Sequence, residues 1–168
     1  SKKDHPIVDL SYIDVLAYCK WAGTKLPTEA QWEKAASWDV TGKKKLKFPW
    51  GDEFDTNKLC CSLKTYGDAG GTKPVGSFPG GASPYGLLEM AGNVSNWCSG
   101  WFESKFNGKH VRLDRNGETL SVGDNRFRVS RGGSWYFCVP VVFQVAYREI
   151  CLPEEVSSTM GFRCVSGP

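Results

Sequence analysis

All of the legible helix in this chain lies near its start, and that asymmetry restricts the fold more than any other feature. Ser11-Tyr12-Ile13-Asp14 has the S-x-x-D form of a capping box, in which hydroxyl and carboxylate satisfy backbone N–H groups at a helix start. Tyr12, Val15, Leu16 and Cys19 follow at helical spacing, and Gly23 stops the run. A second helix begins after Leu26-Pro27: Thr28 caps it, Gln31 stands three residues on, and Trp32, Ala35 and Ala36 share one face. From Thr41 onward glycine, proline, serine and asparagine recur every few residues, and no amphipathic helix of useful length appears. Residues 74–81 read as turns around a short extended piece, and 126–130, 139–147 and 161–165 are strand candidates. Two early helices followed by small antiparallel sheets and long loops predict the α+β class.

Composition narrows the function. The 168 residues suit one domain, 1–168, and contain neither an internal repeat nor a linker. A net charge of +3 is too small and dispersed to argue for nucleic acid, and the basic run Lys43, Lys44, Lys45 and Lys47 reads as a solvated loop. No apolar run approaches the roughly 20 residues that cross a bilayer, so the expectation is no direct membrane insertion by this chain, and a monomer. Nineteen glycines and seven tryptophans point to short elements, many turns and large aromatic anchors. None of the seven cysteines stands in a C-x-x-C pair, which excludes the zinc-ribbon and thioredoxin-like patterns. His5 and His110 are far apart in sequence, and there is no G-x-S-x-G elbow, phosphate loop or H-E-x-x-H helix.

Three groups of segments together resemble the formylglycine-generating-enzyme, or sulfatase-modifying-factor, family. They are Ala17-Tyr18-Cys19-Lys20-Trp21-Ala22-Gly23 running into Leu26-Pro27-Thr28-Glu29-Ala30-Gln31-Trp32-Glu33, then Tyr85-Gly86-Leu87 with Gly92-Asn93-Val94, and last Arg131-Gly132-Gly133-Ser134-Trp135 with Gly161-Phe162-Arg163. Their order matches the family and spans nearly the whole chain. The resemblance implies the C-type-lectin-like fold. The family's opening strands have no counterpart here, so the resemblance makes this the later part of a larger protein. Read from the residues alone, the same segments are scaffold: Thr28 and Glu29 suit a helix start, the tryptophans suit a core, and Arg131-Gly132-Gly133-Ser134 suits a turn.

Formylglycine-forming members carry a copper-binding cysteine pair shortly after the R-G-G-S segment, because the oxidation needs two soft thiolates around one ion. Here that stretch holds only Cys138, one place late, and hydrophobic residues stand where the second thiol belongs. The related iron-dependent sulfoxide synthases use several histidines, which this chain lacks. The expectation is therefore a binding domain that is not an enzyme. The alternative is a divergent copper-dependent oxidase using Cys138 with Cys151.

Residues 136–143 form an almost unbroken apolar run, and Ile150, Cys151 and Leu152 follow closely. A half-buried strand alternates, and this run does not. Its readings are a strand buried on both faces or an exposed patch that marks a binding site. Its placement resembles the variable proteins of diversity-generating retroelements, in which adenines of asparagine codons are randomised between R-G-G-S-W and G-F-R. Tyr, Phe, Cys, Val, Ile, Leu and Pro are all reachable from such a codon. Trp135, Gln144, Glu154, Glu155 and Met160 are not, and read as fixed scaffold. The candidate ligand-binding residues are Tyr136, Phe137, Cys138, Val141, Val142, Phe143, Tyr147, Ile150, Cys151, Leu152 and Val156. The partner implied is a protein, and the location implied is a cell surface or extracytoplasmic one.

Two further expectations come from the resemblance. Cys19 and Cys164 occupy positions that pair in some members. Calcium, where members hold it, would map onto the Glu89 carboxylate, the carbonyls of Gly92 and Val94, and the side chain of Asn96, where the family usually has glutamate.

Overall fold

Both helix starts are built as the sequence predicts. The computed structural model describes residues 2–167 apart from 103–104, 107–108, 114–118 and 122–126. In α1 (Tyr12–Trp21) the Ser11 hydroxyl accepts from the Asp14 N–H, and Asp14 Oδ2 accepts from the Ser11 N–H at 3.0 Å. In α2 (Glu29–Ser37) Thr28 Oγ1 and Gln31 Oε1 make the same reciprocal pair, at 3.1 and 2.9 Å. Helix α1 buries Tyr12, Val15 and Cys19. Leu16, predicted on that face, is exposed, because one residue beyond Val15 the side chain turns by about 100° to the edge of a narrow stripe.

Among the described residues nine short strands follow. β1 (Trp38–Asp39) and β2 (Lys44–Lys45) form a hairpin around the basic run. β3 (Ser95–Trp101) lies inside the main sheet, and β4 (Lys105–Phe106), β5 (Lys109–Leu113) and β6 (Thr119–Ser121) make a separate antiparallel sheet. β7 (Arg128–Arg131), β8 (Glu149–Cys151) and β9 (Met160–Gly161) complete the main sheet in the order β8-β7-β3-β9. Only β9 runs parallel to its neighbour β3, among the described pairings of that sheet.

The predicted strand at 126–130 is observed as β7, with Arg126 outside the described residues. The strand predicted at 161–165 is shorter, ending at Gly161, with one isolated bridge between Val165 and Lys25. The strand expected over 139–147 is absent. Pro140 has no N–H to give a sheet and instead opens a 3-10 turn, Pro140–Phe143, closed by the Val142 N–H on the Val139 carbonyl at 3.3 Å. The apolar run is thus a tight turn with some side chains inward and others outward.

Strand β3 organises the core because it is buried on both faces. Trp97 packs with Tyr12, Val15, Cys19, Leu26, Cys151 and Met160 beneath α1. Cys98, its neighbour in sequence, points the opposite way and packs with Trp32, Ala36, Met90 and Val145 beneath α2. A third cluster, Phe48, Leu59, Cys61, Ala91, Val142 and Phe143, is assembled almost wholly from loops.

The R-G-G-S turn joins these parts. Gly132 and Gly133 have φ of 96° and 66°. A Cβ at the first would lie 3.0 Å from the Met90 carbonyl oxygen, and one at the second 2.9 Å from the Phe143 ring. Backbone angle and space both demand glycine there. The buried Arg131 guanidinium reaches back to donate to Glu29 Oε2 (3.2 Å), Glu33 Oε2 (2.5 Å) and the Val145 carbonyl (2.9 Å). Arg148 adds a fork onto both oxygens of Glu29, at 2.6 Å each. Burial alone would raise the Glu33 pKa, but hydrogen bonds from Lys45 and Arg131 hold it below its ordinary value. These ion pairs fasten α2 to β7 and to the segment before β8.

Candidate functional site

Directly after the glycine turn the chain surfaces. Ser134 is buried and the Trp135 N–H donates to the Asn93 carbonyl at 2.9 Å, which fixes the direction of exit. The Trp135 indole is half-buried and donates to the Ser158 carbonyl at 3.0 Å. Tyr136 is 43% exposed, and Phe137, Cys138 and Val139 are half-buried.

A second loop packs alongside. Asp68 organises it by accepting from the N–H groups of Leu63, Lys64 and Thr65 at 3.0–3.1 Å; these bonds, those of Thr65 and Lys64 foremost, hold its carboxyl below the usual carboxylate range. The loop is joined to the exit segment by Ser62 N–H on the Phe137 carbonyl (2.9 Å), Ser62 Oγ on the Trp135 carbonyl (3.0 Å) and Gly67 N–H on the Tyr136 carbonyl (2.8 Å). Tyr66 then stacks on Tyr136 with centroids 5.6 Å apart and planes 22° apart, and both rings meet Phe137 edge-on. Tyr66 is 51% exposed and Leu63 65%. The result is an aromatic face of Tyr66, Trp135, Tyr136 and Phe137, with the exposed Leu63 on the same loop as Tyr66 and the backbone braced from two sides.

The eleven candidate residues are divided by this geometry. Tyr136, Val141 and Val156 are exposed; Phe137, Cys138, Tyr147, Ile150 and Leu152 are half-buried. Val142, Phe143 and Cys151 are buried, the first two in the loop-built cluster and the third beneath α1, and present no side chain to a ligand. Sequence reasoning missed Leu63 and Tyr66. They stand in a Gly-rich loop far from Tyr136 in the chain, and the only hint was two large apolar side chains in a segment otherwise made of turn residues.

The two cysteine expectations fare differently. Cys151 contacts Ser130 Oγ at 3.6 Å, and burial pushes its thiol pKa well up. It packs beneath α1, whereas Phe137 and Val139, which flank Cys138, pack on the loop-built cluster, so the proposed Cys138–Cys151 copper pair is not assembled. The Cys61 thiol is raised to about 11 by burial first and then by the charges of Cys60, Asp68 and Cys138. Burial likewise pushes Cys98 up to about 12. The sulfurs of Cys19 and Cys164 lie 3.7 Å apart as thiols.

The calcium ligand set does not fit the ion. Asn96 Oδ1 accepts from Trp32 Nε1 at 3.1 Å and from Arg163 Nε at 2.7 Å, and Asn96 Nδ2 covers the Val94 carbonyl at 3.2 Å. Arg163 also donates to the carbonyls of Leu88 and Glu89, at 3.1 and 3.2 Å. Of the proposed ligands, the Asn96 oxygen is thus taken by Trp32 and Arg163 and the Val94 carbonyl by the Asn96 amide, and a guanidinium stands beside them. Among the described residues no group of three or more His, Cys, Asp or Glu is placed to hold a metal. Of the two histidines, His5 meets Thr72 Oγ1 at 2.8 Å, and the side chain of His110 lies outside the described residues.

Comparison with known proteins follows the scaffold. Residues 1–167 match the model of the sulfatase-modifying factor enzyme 1-like domain. The chain is 36% identical to the formylglycine-generating enzyme of Streptomyces coelicolor, over 98% of this chain and 54% of that protein. It is 35% identical to the hercynine oxygenase of Mycobacterium tuberculosis, over 86% of this chain and 33% of that protein. Its fold superposes on Treponema denticola variable protein 1 with a TM-score of 0.72 at 21% identity, covering 96% of this chain and 71% of that one. The C-type-lectin-like architecture is thus that of the family. The chain spans little more than half, or less, of the length of the curated relatives it matches. The expectation that it is not an enzyme does not stand: relatives at 34–37% identity over most of its length bear the names of two enzymes. Loss of a motif cysteine says which residues are missing from one chemistry, and says nothing of another. The chain belongs to the sulfatase-modifying factor enzyme 1-like family.

Proposed function

We propose that this domain binds a protein or peptide ligand on the aromatic face of Tyr66, Trp135, Tyr136 and Phe137, with Leu63 on the same loop as Tyr66 and Val141 nearby in sequence. The observation that carries the reading is the stacked, half-exposed pair of Tyr66 and Tyr136. Large rings held in one orientation by braced backbone lose little entropy on binding and offer much apolar area, which is why such side chains dominate the energetics of interfaces. Covering about 400 Å² of apolar surface would contribute roughly 10 kcal/mol gross, before the costs of association.

The finer form of this reading is a retroelement-diversified receptor displayed at a cell surface. It is supported by the asparagine-codon-reachable residues among those at the exit segment, and by a scaffold of the kind a variable protein uses. Ligand capture is equally the first step of any reaction on a peptide, so the face serves a receptor and an enzymatic member alike. A second reading, oxidation of a bound cysteine-containing peptide with copper and oxygen supplied, is supported by the likeness to relatives named formylglycine-generating enzyme.

Panning a displayed random peptide library on the protein tests the face. Peptides enriched on the native domain should lose binding on the Tyr66→Ala, Tyr136→Ala double variant. Peptides that bind the double variant equally well would refute it. A near-copy of the 131–164 coding segment in neighbouring DNA, differing almost only at adenines, supports the diversified receptor, and its absence removes that refinement. Copper-dependent oxidation of a cysteine peptide, abolished by Cys138→Ser, would establish the second reading.

A further inference from the structure

On a part of the molecule that shares no residue with the aromatic face, a cavity of about 410 Å³ lies between the segment before α1 and the segment after β9. Its walls include Ile7, Leu10, Val75 and Phe162, and two charged side chains, Glu89 and Arg163, also line it. Each charged group is half-engaged. Arg163 uses Nε and Nη2 on Asn96, Leu88 and Glu89 backbone or side-chain oxygens, and its Nη1 has no hydrogen-bond partner among the described residues. Glu89 uses Oε1 on the Gly76 N–H at 2.8 Å, and its Oε2 has none among them. The Glu89 charge is felt at Arg163, yet no salt bridge within 4.0 Å joins the two. Glu89 and Asn93, both lining the cavity, hold φ of 51° and 63°, a left-handed conformation that is strained for glutamate.

Opposite charges that line one largely apolar-walled space without pairing to each other restrict what can enter. An inorganic anion would meet Glu89, and a cation would meet Arg163. Water alone would satisfy the polar atoms and leave the apolar walls wet, in a space many times the roughly 30 Å³ of one molecule. A chain terminus of a peptide brings one charge of the two. We propose that this cavity binds a zwitterionic apolar α-amino acid, its carboxylate on Arg163 Nη1, its ammonium on Glu89 Oε2 and its side chain against Ile7, Leu10 and Phe162. The volume suits a side chain up to the size of phenylalanine.

Isothermal titration of the 168-residue chain with L-leucine and L-phenylalanine tests the site, with N-acetyl-L-phenylalanine and phenethylamine each lacking one charge. The free amino acids should bind, and each blocked analogue should bind at least about tenfold more weakly, since it leaves one charge of the pocket without its partner. Glu89→Gln keeps an acceptor for the Gly76 N–H while removing the charge. It should weaken L-phenylalanine by about tenfold and leave N-acetyl-L-phenylalanine unchanged. No binding of either amino acid up to about 10 mM, equal binding of the blocked analogues, or a Glu89→Gln protein that binds like the native one would each overturn the proposal.

Discussion

Replacing Phe143 with alanine separates core from surface within the apolar run. The ring is fully buried, stacks on Phe54 with centroids 5.9 Å apart, and fills the space against which Gly133 packs. Losing its burial removes about 2–3 kcal/mol of transfer free energy. The cavity left behind, on the order of 90 Å³ at about 24 cal/mol per Å³, adds roughly 2 kcal/mol before the walls relax. Partial collapse brings the expected loss to about 3–5 kcal/mol, a large share of the stability of a domain this size. Tyr136→Ala, at a ring 43% exposed, should cost only about 1 kcal/mol. Urea unfolding followed by the fluorescence of the seven tryptophans reads both. With a slope of about 2 kcal/mol per molar, the Phe143 variant should shift its midpoint by about 1.5–2.5 M and the Tyr136 variant by about 0.5 M. Equal, small shifts would refute the division, and would return Phe143 to the candidate ligand-binding residues.

Glu149 carries a pH signature. Burial raises its pKa, although Ser95 and Ser130 hydroxyls donate to Oε2 at 3.1 and 3.0 Å. A carboxyl raised in the folded state binds its proton more tightly there, so its contribution is best below the unfolded value of about 4.3 and falls as pH climbs through the folded pKa. Glu149→Gln should therefore gain in melting temperature over the native protein between pH 4 and 8, with no gain at the acid end; a pH-independent difference would contradict the assignment. Mild oxidation should join Cys19 to Cys164, lowering the mass by about 2 Da and stabilising the fold by up to about 4–5 kcal/mol in the chain-entropy model. Burial, followed by the contact with Cys164, raises the Cys19 pKa, which slows attack by that thiol; alkylation of both cysteines after oxidation would rule the bridge out.

What was legible in the sequence was what short-range chemistry decides. The two capping boxes needed only residues three apart, and Gly132-Gly133 announced a turn whatever it packed against. β3 was missed because Ser95-Asn96-Trp97-Cys98-Ser99-Gly100 has weak strand propensity, and its strand character comes from neighbours on both sides. The expected strand over 139–147 failed for the opposite reason: its apolar residues suit a sheet, but Pro140 starts a turn and Val142 and Phe143 fill a cluster that loops supply. For the site, the exit segment could be marked because it follows the R-G-G-S turn. Tyr66 could not, since the bonds that bring it to Tyr136 join residues some seventy positions apart. The calcium expectation turned on Asn96, whose oxygen accepts from Arg163, a residue distant in the chain that no local pattern around Asn96 announces.

The parallel pairing of β9 with β3 has a consequence for synthesis. An antiparallel neighbour such as β8 can fold back on β7 soon after leaving the ribosome, but Ser95 and Asn96 find Met160 and Gly161 only when almost all of this domain has emerged. Until then a strand whose first half is buried has one edge open, beside tryptophans that belong in the core. A nascent chain at that stage is a template for wrong pairing and a target for proteases and chaperones. Codons that slow translation between residues 131 and 160 should therefore lower the yield of folded protein more than the same delay placed ahead of β3.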